Sequence, residues 1–332
     1  MAISDTLDTT AEYRVLLESC GLLDRSERGK LALTGAGAVE FLGGQVTNEL
    51  ADRHPGEGCY AAFLTHKGKM LGDLRILTVG EDPTAPHELL LDTERVALQD
   101  LFDMIRRFSI GYEVQLHKHT LERGLLSLIG PTSRQILASA TGLEPSALPQ
   151  PEHSHAATQI AGFKVRLIAT EWGLDVLCDS DQTAAISTAL LQAGARPVGE
   201  QAAEILRVVR GRPRYGVDMD QDTIPQEAAL NERAVSFTKG CYVGQETVAR
   251  LYYKGKPNRN LRGLRLSEPV GAGAQLRLGE RPVGRLSSSV SHPALGPIGL
   301  ALVRREAPPA STVSVGENGA SAEVLELPFQ ES

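Results

Sequence analysis

The sequence predicts an α+β protein that ends in a small antiparallel β-barrel. Three observations predict it. Over the first 210 residues, apolar runs of strand length mix with segments of helical period, without the strict βαβ alternation of a doubly wound sheet. From about residue 260, short strands are separated by Gly and Pro turns and no helical period survives. Between these regions, residues 211–255 fit no regular element, and long irregular stretches inside compact proteins are usually functional. At roughly 100–150 residues per domain, 332 residues make two or three domains. The expected divisions are a first mixed α/β domain over 1–119, a second over 120–210, a loop region over 211–255 and the barrel over 256–332.

Each element has a local reason. Ala38–Leu50 reads as a helix running into the polar turn Thr47-Asn48. CYAAFLT (59–65) and MLGDLRILTV (70–79) flank HKGK and read as a β-hairpin with Gly68 in its turn. HELLLD (87–92) reads as a third strand. A helix follows, with Leu98, Leu101, Phe102, Ile105 and Phe108 at helical spacing and Thr93 near its N-cap. LLSLIG (125–130) is a buried strand, and Pro131-Thr132-Ser133 opens a helix that stops at Gly142. EPSALPQPEHSHAAT (144–158) is a loop by composition. FKVRLIAT (163–170) and GLDVLCD (173–179) pair as strands, and helices cover about 181–194 and 200–210. The barrel strands are LRGLRL, AQLRLG, ERPVGRLSS, GPIGLALVR and AEVLELP.

Composition excludes several classes. With 42% hydrophobic and 23% charged residues the chain is globular rather than disordered. No apolar run approaches the roughly 18–20 residues of a membrane helix, and the acidic start MAISDTLDTTAEYR is unlike a secretory signal. Cys20, Cys59, Cys178 and Cys241 lie far apart without CxxC spacing, which argues against a disulfide scaffold or zinc ribbon and for a reducing, cytoplasmic home. The net charge of −7 gives no support to direct nucleic-acid contact over the whole surface. It leaves open a local basic cluster of Arg250, Lys254, Lys256, Arg259, Arg262 and Arg265, read more simply as solvated loop charge. The pairs His117/His119 and His153/His155 lack a third ligand, so no metal site is expected, and Gly35-x-Gly37 lacks the context of a dinucleotide fingerprint.

The chemistry concentrates in KGCYVGQE (239–246), where a thiol and a cation stand beside two glycines. If 236–241 is extended, Lys239 and Cys241 share a side, and an ammonium near a thiol favours the thiolate. Gly244-Gln245-Glu246 reads as a helix start whose amides add positive potential. From composition alone, a buried inert cysteine in a glycine-rich turn is the simpler alternative.

KGCYVGQE, preceded by DMDQDTIPQEAAL and followed by TVAR, resembles the signature of the YgfZ family of folate-binding proteins, themselves similar to the T-protein (aminomethyltransferase) of the glycine cleavage system. FLGGQVTNEL (41–50), RVVRGRPRYG (207–216) and the β-rich C-terminus extend the resemblance. It implies a three-domain ring, two mixed α/β domains and a barrel, around a folate cleft. Glu49 stands where the T-protein has the aspartate of aminomethyl transfer, which moves the carboxylate by one methylene. Asp73 is similar to a cleft-lining residue, Asp175 in Trp172-Gly173-Leu174-Asp175 to the carboxylate that grips the pterin, and Arg207 to the arginine beside folate.

The resemblance thus implies tetrahydrofolate or a derivative as cofactor and iron–sulfur enzymes, including tRNA-modifying ones, or their assembly factors as partners. In this reading Cys241 is a transient thiolate ligand or redox group with Lys239 lowering its pKa, and Gln226, Glu227, Tyr242, Gln245 and Glu246 shape the loop and its folate-facing side. Two rivals stand beside it: a tetrahydrofolate-dependent aminomethyl or methyl transferase with Glu49 as acid/base, and a pure binding module that senses folate and contacts RNA or a protein.

Overall fold

The structure is a computed structural model that describes residues 9–80, 88–317 and 319–330. The chain divides into two compact units, residues 1–61 with 73–203 and residues 62–72 with 204–332. Among the described residues no helix is long and apolar enough to cross a membrane.

The first unit is built on two sheets. It begins with α1 (Thr9–Glu18), β1 (Gly21–Asp24), β2 (Gly29–Thr34) and α2 (Ala38–Gly43). The hairpin β3 (Gly58–Leu64) and β4 (Met70–Val79) follows, its tip 62–72 counting with the second unit. Then come β5 (Glu88–Thr93), α3 (Leu98–Phe108) and β6 (Gln115–Lys118), which complete a five-stranded sheet in the order β3-β4-β5-β2-β6. The expected third strand is thus present from Glu88 onward, and His87 lies outside the described residues. The second sheet takes β7 (Arg123–Ile129), then α4 (Ser133–Thr141), β8 (His155–Ile160), β9 (Phe163–Thr170), β10 (Gly173–Asp179), α5 (Thr183–Gln192) and β11 (Arg196–Pro197). Its order is β11-β1-β7-β10-β9-β8; helix α6 (Glu200–Val209) follows, its residues from Glu204 onward counting with the second unit. Cys20, Leu126, Leu128, Leu137, Leu174 and Ile186 are among the residues of this sheet's apolar core.

Some local expectations need correction. The helix expected over 38–50 stops at Gly43. Gly43-Gly44 hold it poorly, and the chain beyond must turn so that Val46 and Leu50 are both buried. Residues 155–158, expected as loop, belong to β8, which pairs along its length with β9. The strand HAATQI buries only its two ends and so carries no apolar alternation to betray it. Thr93 does not cap α3: it ends β5, a 3-10 turn at Arg95–Ala97 leads into the helix, and its hydroxyl donates to the Asp73 carbonyl. Gly142 does end α4, in the left-handed conformation at φ 72°.

In the second unit, the short helix α7 (Asn231–Ala234) and α8 (Gln245–Lys254) precede the barrel. Its strands are β12 (Arg259–Leu266), β13 (Gln275–Leu278), β14 (Arg281–His292), β15 (Gly296–Arg304), β16 (Thr312–Val315) and β17 (Ala320–Leu325). They close in the order β12-β15-β14-β13-β16-β17, so no strand edge is left open. Leu264, Leu276, Val283, Leu286, Val303 and Val324 fill the interior.

The two sheets of the first unit are tied by a buried ion network. Arg75 on β4 donates from Nη2 to Asp92 on β5 at 2.6 Å and from Nη1 to Asp175 on β10, in the other sheet, at 2.7 Å. Ser127 on β7 donates to the second Asp175 oxygen at 2.7 Å, and Arg28 Nε donates to the second Asp92 oxygen at 2.7 Å. Burial alone would push Asp92 up; Arg28 and Arg75 outweigh it and hold the carboxyl below its ordinary value.

Removing one partner of a buried pair leaves the other uncompensated, so Arg75→Leu should cost about 3–5 kcal/mol in urea unfolding. Asp175→Asn, which keeps shape and the serine bond, should cost less, about 1–3 kcal/mol. Because Asp92 titrates below its unfolded value, its contribution is complete above about pH 4 and falls away in acid. Equal stability of wild type and Arg75→Leu at neutral pH would show that the network is not what joins the sheets.

Candidate functional site

Two groups of candidate residues emerge, one in each unit. In the first, Asn48 Nδ2 donates to the Tyr60 carbonyl at 2.8 Å, which fastens the 47–51 turn to β3. Within that turn Glu49 folds back, its Oε1 accepting the amides of Leu50 and Ala51 at 2.8 and 2.9 Å. From the same strand, Tyr60 donates its hydroxyl to Asp73 Oδ2 on β4 at 2.5 Å. Asp73 is 7% exposed, and burial pushes its carboxyl up to about 6, against the opposing hydrogen bond from Tyr60. A carboxyl that titrates near neutrality beside a phenol is suited to moving a proton. The turn of Glu49 and the side chain of Asp73 are therefore joined through Tyr60, a residue that pattern reading missed because its partner lies across a hairpin.

Asp175 does not extend this group. Both of its oxygens are taken, by Arg75 and Ser127. Arg207, in the second unit, is likewise fully engaged. Its Nε and Nη2 grip Glu204 at 2.8 and 2.5 Å, Nη1 reaches Asp218 at 2.6 Å and the Arg212 carbonyl, and Nη2 also reaches Ser288 on the barrel. Asp218 in turn accepts from Ser287 and Ser288. Arg207 thus pins α6, the 211–218 loop and β14 to one another.

The second group is the signature stretch. Glu227 is held by Arg259 of β12 through two bonds, at 3.1 and 2.8 Å, so it anchors the 224–230 loop to the barrel. Beside it, Gln226 Oε1 and Asn231 Oδ1 are buried acceptors with no donor. Such atoms are costly to leave unmatched, and they suit a ligand edge that presents N–H donors. Residues 237–239 bend, so the alternation expected of an extended 236–241 does not apply. Lys239 Nζ stands 5.2 Å from the centre of the Tyr242 ring. Tyr242 is buried, and burial pushes its phenol up to about 12. Gln245 opens α8 as expected, and Glu246 beside it is exposed.

The two signature glycines differ in kind. Gly244 has φ 84°, and a Cβ there would lie 2.6 Å from the Thr65 carbonyl and 3.1 Å from Gly68 Cα, in the tip of the β3–β4 hairpin. A Cβ on Gly240 would meet nothing within 4 Å. Cys241, next to it, is exposed, whereas Cys20, Cys59 and Cys178 are buried. Burial pushes the Cys20 thiol up to about 12 and raises Cys178 as well. Among the described residues no three His, Cys, Asp or Glu side chains converge to hold a metal ion.

The family model for the GCVT N-terminal domain matches residues 6–239. The chain belongs to that family. A protein of Arabidopsis thaliana named as a chloroplastic transferase is 27% identical over 93% of this chain and 71% of its own. The aminomethyltransferase of Prosthecochloris aestuarii is 29% identical over 96% of this chain and 90% of its own. The crystal structure of the glycine cleavage system aminomethyltransferase from Bartonella henselae superposes with a TM-score of 0.86 at 26% identity, covering 98% of this chain and 90% of that one. The fold is therefore aminomethyltransferase-like, with mixed α/β sheets and a closed six-stranded antiparallel barrel.

Two measurements probe these groups. Asp73 binds its proton more tightly folded than unfolded, so the native state loses stability as pH rises from about 4 to about 6. Asp73→Asn should remove that loss, stabilising the protein by up to about 3 kcal/mol at pH 8 and by little at pH 4; a gain independent of pH would show that Asp73 is not the titrating group. Gly244→Ala should destabilise by about 1–3 kcal/mol through left-handed strain and the clash with Thr65, whereas Gly240→Ala should stay within about 0.5 kcal/mol of wild type. Thermal unfolding that ranks the two the other way would overturn this division of the signature.

Proposed function

We propose that the chain is a folate-binding member of the family, of the YgfZ kind, that supports iron–sulfur enzymes, tRNA-modifying ones among them, through the Cys241 thiol rather than by turning over aminomethyl groups. The observation that carries this is the placement of the four cysteines: Cys241 alone is exposed, on a loop beside Gly240 that the fold leaves open. An exposed thiol can meet iron on a partner, and one cysteine suits a transient ligand better than a resident cluster.

The relatives' names speak for tetrahydrofolate as the ligand, since aminomethyl transfer uses it. Bound there, tetrahydrofolate supplies a pterin edge of N–H donors and amine nitrogens that carry one-carbon groups. Gln226 and Asn231 offer the matching acceptors. Asp175 and Arg207 act on the ligand through the strands and loops they hold, since Asp175 has no oxygen and Arg207 no nitrogen left without a partner inside the protein.

A transferase reading remains the second, favoured by Asp73, whose carboxyl titrates near neutrality beside Tyr60. Glu49 serves it less well, because one of its oxygens already caps its own turn. Robust turnover of an aminomethyl-lipoyl carrier with tetrahydrofolate by the wild-type protein would replace the first reading with this one.

Under the first reading, mass spectrometry after brief alkylation near neutral pH should find Cys241 modified before the other three. Cys241→Ala should abolish support of an iron–sulfur enzyme and leave tetrahydrofolate affinity unchanged in calorimetry, while Gln226→Ala should weaken that affinity by about 5- to 30-fold. Full support by Cys241→Ala would end the thiol's role, and unchanged affinity in Gln226→Ala would remove the loop from the ligand site.

A further inference from the structure

Helix α8 carries a surface that the folate and thiol readings do not use. Tyr252 lies flat on Phe237, ring centres 3.7 Å apart and planes 15° from parallel. Tyr253 stands edge-on to both, 5.0 Å from Tyr252 and 6.4 Å from Phe237. The two tyrosines face solvent, Tyr252 49% exposed and Tyr253 66%, while Phe237 is half-buried. Arg250, Tyr253 and Lys254 stand at i, i+3 and i+4 and share a helix face, and Lys256 follows just past Gly255.

The charge is selective. Of the basic residues between 250 and 265, Arg259 is paired with Glu227, Arg262 with Glu326 and Arg265 with Glu323. Arg250, Lys254 and Lys256 have no carboxylate partner among the described residues and are all exposed. Glu246, one turn before Arg250, is the acid nearest on the helix, and the two form no ion pair. Three unmatched cations on a chain of net charge −7 thus lie on, or just beyond, the helix whose Tyr252 and Tyr253 rings meet solvent.

We infer that this face binds single-stranded nucleic acid. An aromatic ring offers every base a stacking partner, and cations at the spacing of one helix turn track a phosphate backbone. Lysine is depleted at protein–protein interfaces, whereas two of the three unmatched cations here are Lys254 and Lys256. Along the chain, the exposed residues that flank Tyr252 and Tyr253 between 250 and 258 are Arg250, Lys254, Gly255, Lys256 and Asn258. The inference is independent of Cys241 and of folate.

Fluorescence anisotropy of the full chain with labelled single-stranded RNA and DNA of about 12 nucleotides tests it. Both strands should bind at low salt, with log K falling about two units per decade of salt for three phosphate contacts; a preference for one sugar identifies the natural strand. Tyr253→Ala, an exposed substitution with little effect on folding, should weaken binding by about 5- to 100-fold, and Tyr252→Ala similarly. Lys254→Glu should weaken it further and flatten the salt dependence. Three results would each overturn the inference. They are no binding at low salt, tyrosine variants that bind as tightly as wild type, and displacement of the oligonucleotide by polyglutamate at equal charge, which would make the face a dock for an acidic protein.

Discussion

One guanidinium bridges the two sheets of the first unit. Arg75 is buried between two sheets and joins an aspartate in each, Asp92 at 2.6 Å and Asp175 at 2.7 Å. Taking an arginine and two carboxylates out of water is unfavourable unless every charge is matched, and the network matches each of them: Asp92 has a second arginine and Asp175 a serine. The arrangement is directional. A hydrophobic contact between sheets tolerates sliding, whereas a two-pronged Arg75 permits one register. That register fixes β4, and Asp73 stands two residues before Arg75 on the same side of it. The acid at the candidate proton-transfer site is therefore placed by the network as well as by its own bonds to Tyr60 and Thr93.

The same layer shows how environment divides similar carboxyls. Asp73 and Asp92 are both buried aspartates on neighbouring strands of one sheet. Asp92 faces two arginines and is held below its ordinary value. Asp73 has a phenol as its hydrogen-bond partner and Glu94 nearby, and burial takes it to about 6. Matched charge makes one a structural joint; incomplete matching leaves the other with a proton to exchange. Stability and reactivity are in tension at Asp73 in a way they are not at Asp92.

Much of the architecture was legible in the residues. The hairpin turned by Gly68, the strand pair 163–179, the stop at Gly142 and five of the six barrel strands follow from alternation and turn chemistry; β16 (Thr312–Val315) does not. Short polar strands were not: β6 and β8 bury too few side chains to show a period. Site residues were harder still, because residue type does not reveal a partner. Asp175 and Arg207 are the kinds of side chain that grip a ligand, and here the structure gives them partners up to 100 positions away in sequence, Arg75 and Ser288 among them. Conversely, the amides Gln226 and Asn231 stand out only once their lack of a donor is visible.

The signature stretch separates along the same line. Gly244 is demanded by the fold, since its positive φ and the approach of the hairpin tip exclude any side chain. Tyr242 is buried, and Gln245 begins a helix. These residues need no function to explain them. Gly240 and Cys241 are different: the backbone at 240 would admit a methyl group, and the thiol at 241 faces solvent. An exposed thiol gives the fold no packing, and a glycine without a steric reason adds entropy to the unfolded chain. Folding alone would prefer other residues at both positions. The part of the signature that the fold does not require is thus its Gly240–Cys241 step.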